Sequence, residues 1–269
     1  MIGMEWHLFW ENIKMRNKID KISSWIKGKV DAASCKGVVF GLSGGIDSAV
    51  VAALCRKSMA KDVVLGVIMP CESQEEDKED AFLVASKLDL NANVYHLNDA
   101  FQDIICVEEH SNPTFKLASA NLKARLRMAT LYYIANQHSY LVVGTGNKTE
   151  IMVGYFSKYG DSGVDIEPIG DIYKTEVFKM AKELGLPEKI INKAPSAGLW
   201  KGQTDEGEMG ITYKELDKIL MAIDDKFNKE PFKTYCQKEN ITIETLNKVW
   251  SMIIKSEHKR KMPPIYPID

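Results

Sequence analysis

The residue types most suited to chemistry begin in the stretch Val38–Ser48, VVFGLSGGIDS. Val38, Val39 and Phe40 read as a short buried strand. Gly41, Leu42, Ser43, Gly44 and Gly45 follow as a tight turn, because glycine lets the backbone bend and leaves its N–H groups uncovered. Ile46, Asp47 and Ser48 then open a helix. Strand, glycine turn and helix start in that order make an anion cradle, where free N–H groups meet the positive end of the helix dipole. No Gly-Lys-Ser/Thr follows the glycines, so the loop is not a Walker A sequence. Asp47 puts a carboxylate where phosphates would sit. Two anions repel, so a phosphate bound here requires a divalent cation between them. The alternative for a generic turn of this kind is ordinary helix capping.

A second glycine-bearing loop, Gly144-Thr145-Gly146-Asn147, closes another apolar run and leads to Glu150. Beyond it come the polar loop Lys158–Asp165 (KYGDSGVD), Lys174 at a helix start, the Gly- and Ser-rich loop Ala194–Gly210 and the basic run His258-Lys259-Arg260-Lys261. The elements that must position these residues alternate. Helical spacing of Ile19, Ile22, Trp25, Ile26 and Val30 predicts an amphipathic helix over Asn12–Ala33. Strands are predicted at Val38–Phe40, Val63–Met69, Val94–Leu97 and Leu141–Val143, with helices over Ala49–Cys55, Asp77–Leu88, around Phe101–Ile105 and over Ala118–Gln137. The last of these shows Lys123, Arg125 and Arg127 on its polar side. Further helices are predicted over Lys174–Leu184, Tyr213–Ala222 and Ile243–Lys255. Such alternation argues for an α/β fold with a doubly wound parallel sheet, helices on both faces and a helical C-terminal part. Ligands in such sheets bind beyond the carboxyl ends of the strands, where both glycine loops fall. The absence of a linker or repeat predicts one domain over 1–269.

Composition narrows the class. The 269 residues are 45% apolar, with a formal charge of −2, so nothing in the charge marks the whole chain as nucleic-acid-binding or membrane-binding. Trp6 and Leu8–Trp10 are too short for a signal-peptide core. Five scattered cysteines without a Cys-x-x-Cys pair read as buried thiols of a reducing, cytoplasmic compartment.

The string Ser43–Ser48 resembles the pyrophosphate-binding loop of the N-type ATP pyrophosphatases, and the fold this implies is the adenine nucleotide alpha hydrolase type. Within that group Thr145–Glu150, Gly154–Asp165, Pro168, Lys174, Ala194–Asp205 and His258-Lys259-Arg260 are similar to NAD synthetase, specifically to its ammonia-dependent members. The similarity spans the chain from about Gly41 on. It implies that ATP activates the carboxylate of deamido-NAD as an acyl adenylate, releasing pyrophosphate, and that ammonia displaces AMP. Positioning and charge neutralisation carry such chemistry.

The resemblance also implies roles. Asp47 and Glu150 are the expected Mg²⁺ ligands, since magnesium takes one or two carboxylates plus phosphate oxygens and water. Gly41 to Ser48, Thr145, Lys174 and Ser196 are expected around ATP, with Leu65–Pro70 beside the adenine. Arg125, Lys158, Asp165, His258 and Lys259 are expected around deamido-NAD, a guanidinium being suited to bidentate anion recognition. Asp165 would balance the pyridinium charge and Asp161 would take the proton of ammonium. Ala194–Gly210 is expected to close over the adenylate. The family is a homodimer, and Trp6–Trp10 with Tyr132-Tyr133 offer apolar surface for one. No cysteine has the company of a glutaminase nucleophile, so ammonia is the expected nitrogen source. Two rivals are a related GMP synthetase or tRNA-modifying domain, and a nucleotide sensor that binds AMP without turnover. The sensor has no need of Asp47, Glu150 and Lys174 together, and near-neutral charge argues against a tRNA partner.

Overall fold

The computed structural model describes residues 2–106, 114–196, 198, 202–224 and 232–268. The first half runs α1 (Ile2–Ala32), β1 (Gly37–Gly41), α2 (Ile46–Ser58), β2 (Val64–Ile68), α3 (Glu75–Lys87), β3 (Asn91–Val94), α4 (Asn98–Ile105), α5 (Phe115–His138) and β4 (Tyr140–Val142). The four strands form one parallel sheet in the order β3-β2-β1-β4. Val39 of β1 lies opposite Leu65 of β2 and Val142 of β4.

β1 and β2 are buried on both faces, which is why each is a continuous apolar run. Alternate side chains point to opposite faces. Val38, Phe40, Val64 and Ile68 pack beneath Ile19 and Ile26 of α1, Val50 and Leu54 of α2, and Val84 of α3. Val39, Leu65, Val67 and Val142 pack against Phe101 of α4 and Leu131 and Ile134 of α5. Each buried aliphatic side chain of this kind contributes about 1.5–3 kcal/mol. The strand order places a topological switch between β1 and β4, whose following loops leave in opposite directions and open a crevice at the carboxyl edge. This is the expected α/β arrangement.

After β4 the chain forms α6 (Lys148–Val153), a single parallel bridge from Val143 to Ile166, then α7 (Lys174–Glu183), α8 (Glu188–Asn192), α9 (Asp205–Met209), α10 (Tyr213–Ile223), α11 (Phe232–Lys238) and α12 (Ile243–Lys255). Val177, Met180 and Ile190 return α7 and α8 to the α1–α2 face of the sheet. Val153, Tyr173, Met209, Leu216, Leu220 and Val249 build a separate apolar cluster under α6, α10 and α12. No described helix is long and apolar enough to cross a membrane. All five cysteines are free thiols, but only Cys55 and Cys71 are buried; Cys35 and Cys236 are half-buried and Cys106 is exposed, which corrects the reading of all five as buried.

Several expectations are corrected. The third strand is Asn91–Val94, not Val94–Leu97. As the edge strand it is only half covered, and its asparagines hide it from an apolar search. Backbone N–H groups of Tyr95 and Leu97 still reach Ile68 and Pro70 carbonyls, extending the ladder beyond it. α1 begins ten residues earlier than Asn12, and Trp25 faces outward at 42% exposure. Ala194–Gly210 is not all loop, because Thr204 caps the short helix α9 through the Gly207 N–H; Ala197, Leu199, Trp200 and Lys201 lie outside the described residues. Lys123 is buried against Glu72 and the Phe101 ring instead of lying on a polar face.

Candidate active site

The glycine loop after β1 keeps the predicted geometry. Gly44 has φ +79°, and a Cβ there would stand 2.6 Å from the Asp77 carbonyl and 2.8 Å from the Asp80 Cβ. Conformation and space therefore both demand glycine. The Ser48 hydroxyl donates to the Gly45 carbonyl at 2.9 Å and accepts from the Ser43 N–H at 3.3 Å, closing the turn on itself. Gly45 is the N-cap of α2 and no side chain caps that helix end, so the anion cradle is built from backbone.

The second loop ends in a capping box. Asn147 accepts from the Glu150 N–H at 3.0 Å, and Glu150 Oε2 accepts from the Asn147 N–H at 3.4 Å. The same Asn147 donates from Nδ2 to Asp47 Oδ1 at 3.0 Å. One asparagine thus ties the two loops together across the switch point.

Between the loops lies Lys174. Its Nζ donates to Asp47 Oδ2 at 2.5 Å and to Glu150 Oε1 at 3.0 Å, and its side chain is 1% exposed. An isolated buried ammonium would be prohibitively costly, so it persists only because two carboxylates face it. Burial pulls its pKa down, but Asp47 and Glu150 outweigh burial and hold it above the ordinary lysine value. Burial raises the Glu150 carboxyl above the ordinary glutamate range, opposed by Lys174 and reinforced by Asp47 and Asp205. Tyr213 places its hydroxyl 2.9 Å from Asp205 Oδ2 and 3.2 Å from Glu150 Oε1, and the single proton goes to one of these carboxylates at a time. Its ring lies under the Lys174 ammonium at 4.8 Å.

Lys174 is aimed from below by a buried network. Thr149 accepts the Lys174 N–H at 2.9 Å and donates to Asp217 Oδ1 at 2.5 Å, while Asp217 Oδ2 takes the Thr175 N–H at 2.7 Å. Asp217 on α10 therefore fixes the first turn of α7 against α6.

A second cluster gathers the residues expected around the dinucleotide. Arg125 donates from Nε and Nη2 to the Lys158 carbonyl at 3.4 and 3.3 Å, and Lys158 Nζ to the His258 carbonyl at 2.6 Å. Lys259 Nζ holds the Gly154 and Phe156 carbonyls at 2.8 and 2.7 Å. Asp161 Oδ1 accepts the Ser157 N–H at 2.8 Å, and desolvation pushes its carboxyl upward. Asp165 binds the Val142 N–H at 2.8 Å and the Tyr132 hydroxyl at 2.9 Å. Tyr132 is thus partly committed to packing and hydrogen bonding, which corrects its reading as spare apolar surface; Tyr133 remains 60% exposed. Ser196 lies at the surface, accepting the Gly198 N–H at 3.1 Å. Gly198 approaches Asp77, whose carbonyl abuts Gly44, so this segment borders the first loop.

With the geometry in place, comparison with known proteins decides the family. The NAD synthase family model matches residues 18–263. The chain belongs to the NAD synthase family. It is 46% identical over 255 residues to an NH(3)-dependent NAD(+) synthetase of Carboxydothermus hydrogenoformans, covering 94% of this chain and 98% of the relative. It is 47% identical over 252 residues to the protein of the same name from Methanocaldococcus jannaschii, covering 93% and 96%. Among solved structures it is similar to an NMN synthetase from Francisella tularensis, with a TM-score of 0.82, 32% identity, and 94% and 99% of the two chains covered. It also resembles the NH3-dependent NAD synthetase of Campylobacter jejuni, with a TM-score of 0.78, 29% identity and the same coverage. An enzyme of the ammonia-dependent NAD synthetase class thus carries the two-loop site.

Sequence reasoning missed Asn147, Thr149, Asp205, Tyr213 and Asp217. The Asn147–Glu150 capping box was readable in Asn-Lys-Thr-Glu; the others depend on contacts across the fold. It also missed Glu167. A Cβ on Gly144 would stand 2.4 Å from the Glu167 carboxyl, and the Gly146 N–H donates to Glu167 Oε2 at 3.2 Å. Burial lifts this carboxyl to about 8, with Asp161 and Glu150 adding to the rise. A carboxyl raised in the folded state binds protons more tightly there than in the unfolded chain. Its stabilisation is complete below the unfolded value of 4.5 and is lost as pH climbs through 8. Glu167→Gln keeps an acceptor for Gly146 without the charge, so the variant should melt increasingly above the wild type from about pH 4.5 to about pH 8, with the difference levelling off above that. Parallel melting curves of the two proteins across that range would refute this.

Proposed function

We propose that the two-loop site carries out ATP-dependent amidation of deamido-NAD to NAD with ammonia. The observation that carries this reading is the meeting of Asp47, Glu150 and Lys174 beside a backbone anion cradle at the switch point. The relatives named NH(3)-dependent, at 44–47% identity over nearly their full length, support the nitrogen source.

In this reading a carboxylate oxygen of deamido-NAD attacks the α-phosphorus of ATP. The bond to the α–β bridging oxygen breaks, and pyrophosphate leaves into the loop made by Gly41, Leu42, Ser43, Gly44, Gly45, Ile46 and Ser48, in which the Leu42 N–H stays bonded to the Val67 carbonyl. Thr145 and Ser196 border the nucleotide, and Lys174 offers its ammonium to the phosphates. The residues fit magnesium. Asp47 and Glu150 already face one shared cation, the Lys174 ammonium, and are the donor type Mg²⁺ prefers. Among the described residues no group of three or more His, Cys, Asp or Glu could hold a metal unaided, which suits an ion completed by phosphate and water. Bound there, Mg²⁺ would neutralise phosphate charge.

Arg125, Lys158, His258 and Lys259 hold the anionic dinucleotide, with Asp165 opposite the pyridinium charge. Ammonia then attacks the acyl carbon, AMP departs, and Asp161 accepts the proton lost from nitrogen. A homodimer is part of this reading, supported by the exposed Trp10 and Tyr133; the Trp6, Leu8 and Phe9 side chains lie outside the described ones. A cytoplasmic setting is part of it also, with free ATP at hand.

The similarity to an NMN synthetase brings a second acid, nicotinate mononucleotide, into the comparison. The test is product formation by purified protein with ATP, Mg²⁺ and each acid, using ammonium or glutamine. The expected result is NAD from deamido-NAD with ammonium. The rate at limiting ammonium should rise with pH, because NH₃ and not NH₄⁺ is the nucleophile. Faster amidation of nicotinate mononucleotide, or efficient use of glutamine in a glutaminase-free preparation, would overturn it.

A further inference from the structure

The proposed metal position is already filled by the protein's own cation. Lys174 Nζ bonds Asp47 Oδ2 at 2.5 Å and Glu150 Oε1 at 3.0 Å. The remaining carboxylate oxygens are taken as well. Asp47 Oδ1 accepts from Asn147 Nδ2 at 3.0 Å, and Glu150 Oε2 from the Asn147 backbone at 3.4 Å. All four oxygens therefore have donors, and the Tyr213 hydroxyl, shared with Asp205, lies 3.2 Å from Glu150 Oε1.

Moving the ammonium out carries two costs. Asp47, Glu150 and nearby Asp205 would be left without their counter-charge, and a buried ammonium would be left without its anions. A divalent cation arriving alone remedies only the first. A cation arriving with ATP remedies both, because the phosphates give the ammonium a new partner. Lys174 has the reach for such a move: its backbone N–H is pinned to Thr149 at 2.9 Å, while its four-carbon stem is jointed.

We infer that Lys174 acts as an internal counter-ion that keeps divalent metal out of the Asp47–Glu150 pair until nucleotide phosphates draw its ammonium away. The inference rests on the magnesium–ATP reading and adds an order to it. Metal and nucleotide enter together, and the metal-free pair stays neutralised between turnovers.

The test is binding of Mn²⁺ to the purified protein, counted as protein-bound ion, with and without an ATP analogue whose α–β bridge is a methylene. In the wild type, Mn²⁺ should bind at least about tenfold more weakly without the analogue than with it. Lys174→Met should raise nucleotide-free Mn²⁺ affinity at least about tenfold over the wild type. Mg²⁺ alone should then raise the melting temperature of the variant but not of the wild type. Lys174→Gln serves the same comparison should the methionine variant fail to fold. Equal nucleotide-free Mn²⁺ affinity in wild type and variant overturns the inference, as does wild-type affinity that ignores the analogue. Absence of bound Mn²⁺ in the wild type even with the analogue overturns the magnesium–ATP reading itself, and the inference with it.

Discussion

Asp47→Asn should lower ATP- and deamido-NAD-dependent pyrophosphate release by about 10²–10³-fold, the scale seen when one preorganised electrostatic group is lost from a reacting centre. The substitution removes the charge and one of the two acceptor oxygens. Asn147 Nδ2 bonds Asp47 Oδ1 at 3.0 Å and Lys174 Nζ bonds Oδ2 at 2.5 Å, so the single oxygen of an asparagine serves one of these donors and its NH2 group faces the other. Asp47 is partly exposed, at 18% of its side chain, but its charge faces the buried Lys174 ammonium, which would keep only Glu150 as its bonded anion. The melting temperature should therefore drop, as it does when one partner of a buried ion pair is removed, while adenylation collapses even at a temperature where the variant is folded. Pyrophosphate release at the wild-type rate and unchanged magnesium would remove Asp47 from the site. Loss of activity only at temperatures where the variant is unfolded would instead make it a structural residue.

Asp217→Ala should have the largest effect on stability among the site's supporting residues. Asp217 is 1% exposed, and its two oxygens hold the Thr149 hydroxyl and the Thr175 N–H. Truncation leaves both donors buried without their acceptor, at about 1–3 kcal/mol each. A combined loss of about 3 kcal/mol corresponds to a fall of roughly 6–12 °C in a domain of this size. Activity should fall further than stability alone accounts for, since Thr149 also accepts the N–H of Lys174. Thermal melting beside pyrophosphate release at a temperature where both proteins are folded separates the two effects. A melting temperature within about 2 °C of the wild type would show that water or a shifted α10 replaces the carboxylate.

The first glycine loop was legible because its constraints are local. A strand, two glycines and a helix start dictate an N–H cradle from backbone geometry alone, and Gly44 keeps its positive φ in the folded protein. The same holds for β1 and β2, whose unbroken apolar runs follow from burial on both faces. The edge strand β3 was not legible. Its exposed side relaxes the demand for apolar residues, and only the ladder to β2 identifies it. Lys123 and Tyr132 were misread for a related reason. Helical spacing gives a residue's direction, but the company it finds there belongs to other elements, Glu72 and Phe101 in one case and Asp165 in the other.

The sequence by itself determined the parallel α/β class, the two glycine loops and the family, because each is written in contiguous residue types. It also named Asp47, Glu150 and Lys174. Only the tertiary structure decided how these three stand to one another. Lys174 is separated from Asp47 by 127 positions and from Glu150 by 24. Tyr213 and Asp217, beyond them on α10, and Asp205 on α9 complete the surroundings. Which cation balances the two carboxylates is a matter of packing: α7 must be capped by Asp217 and seated on Thr149 before its first lysine can reach between the loops. Charge-assisted hydrogen bonds such as these form only at contact distances of about 3 Å, and no spacing along the chain encodes distances of that kind.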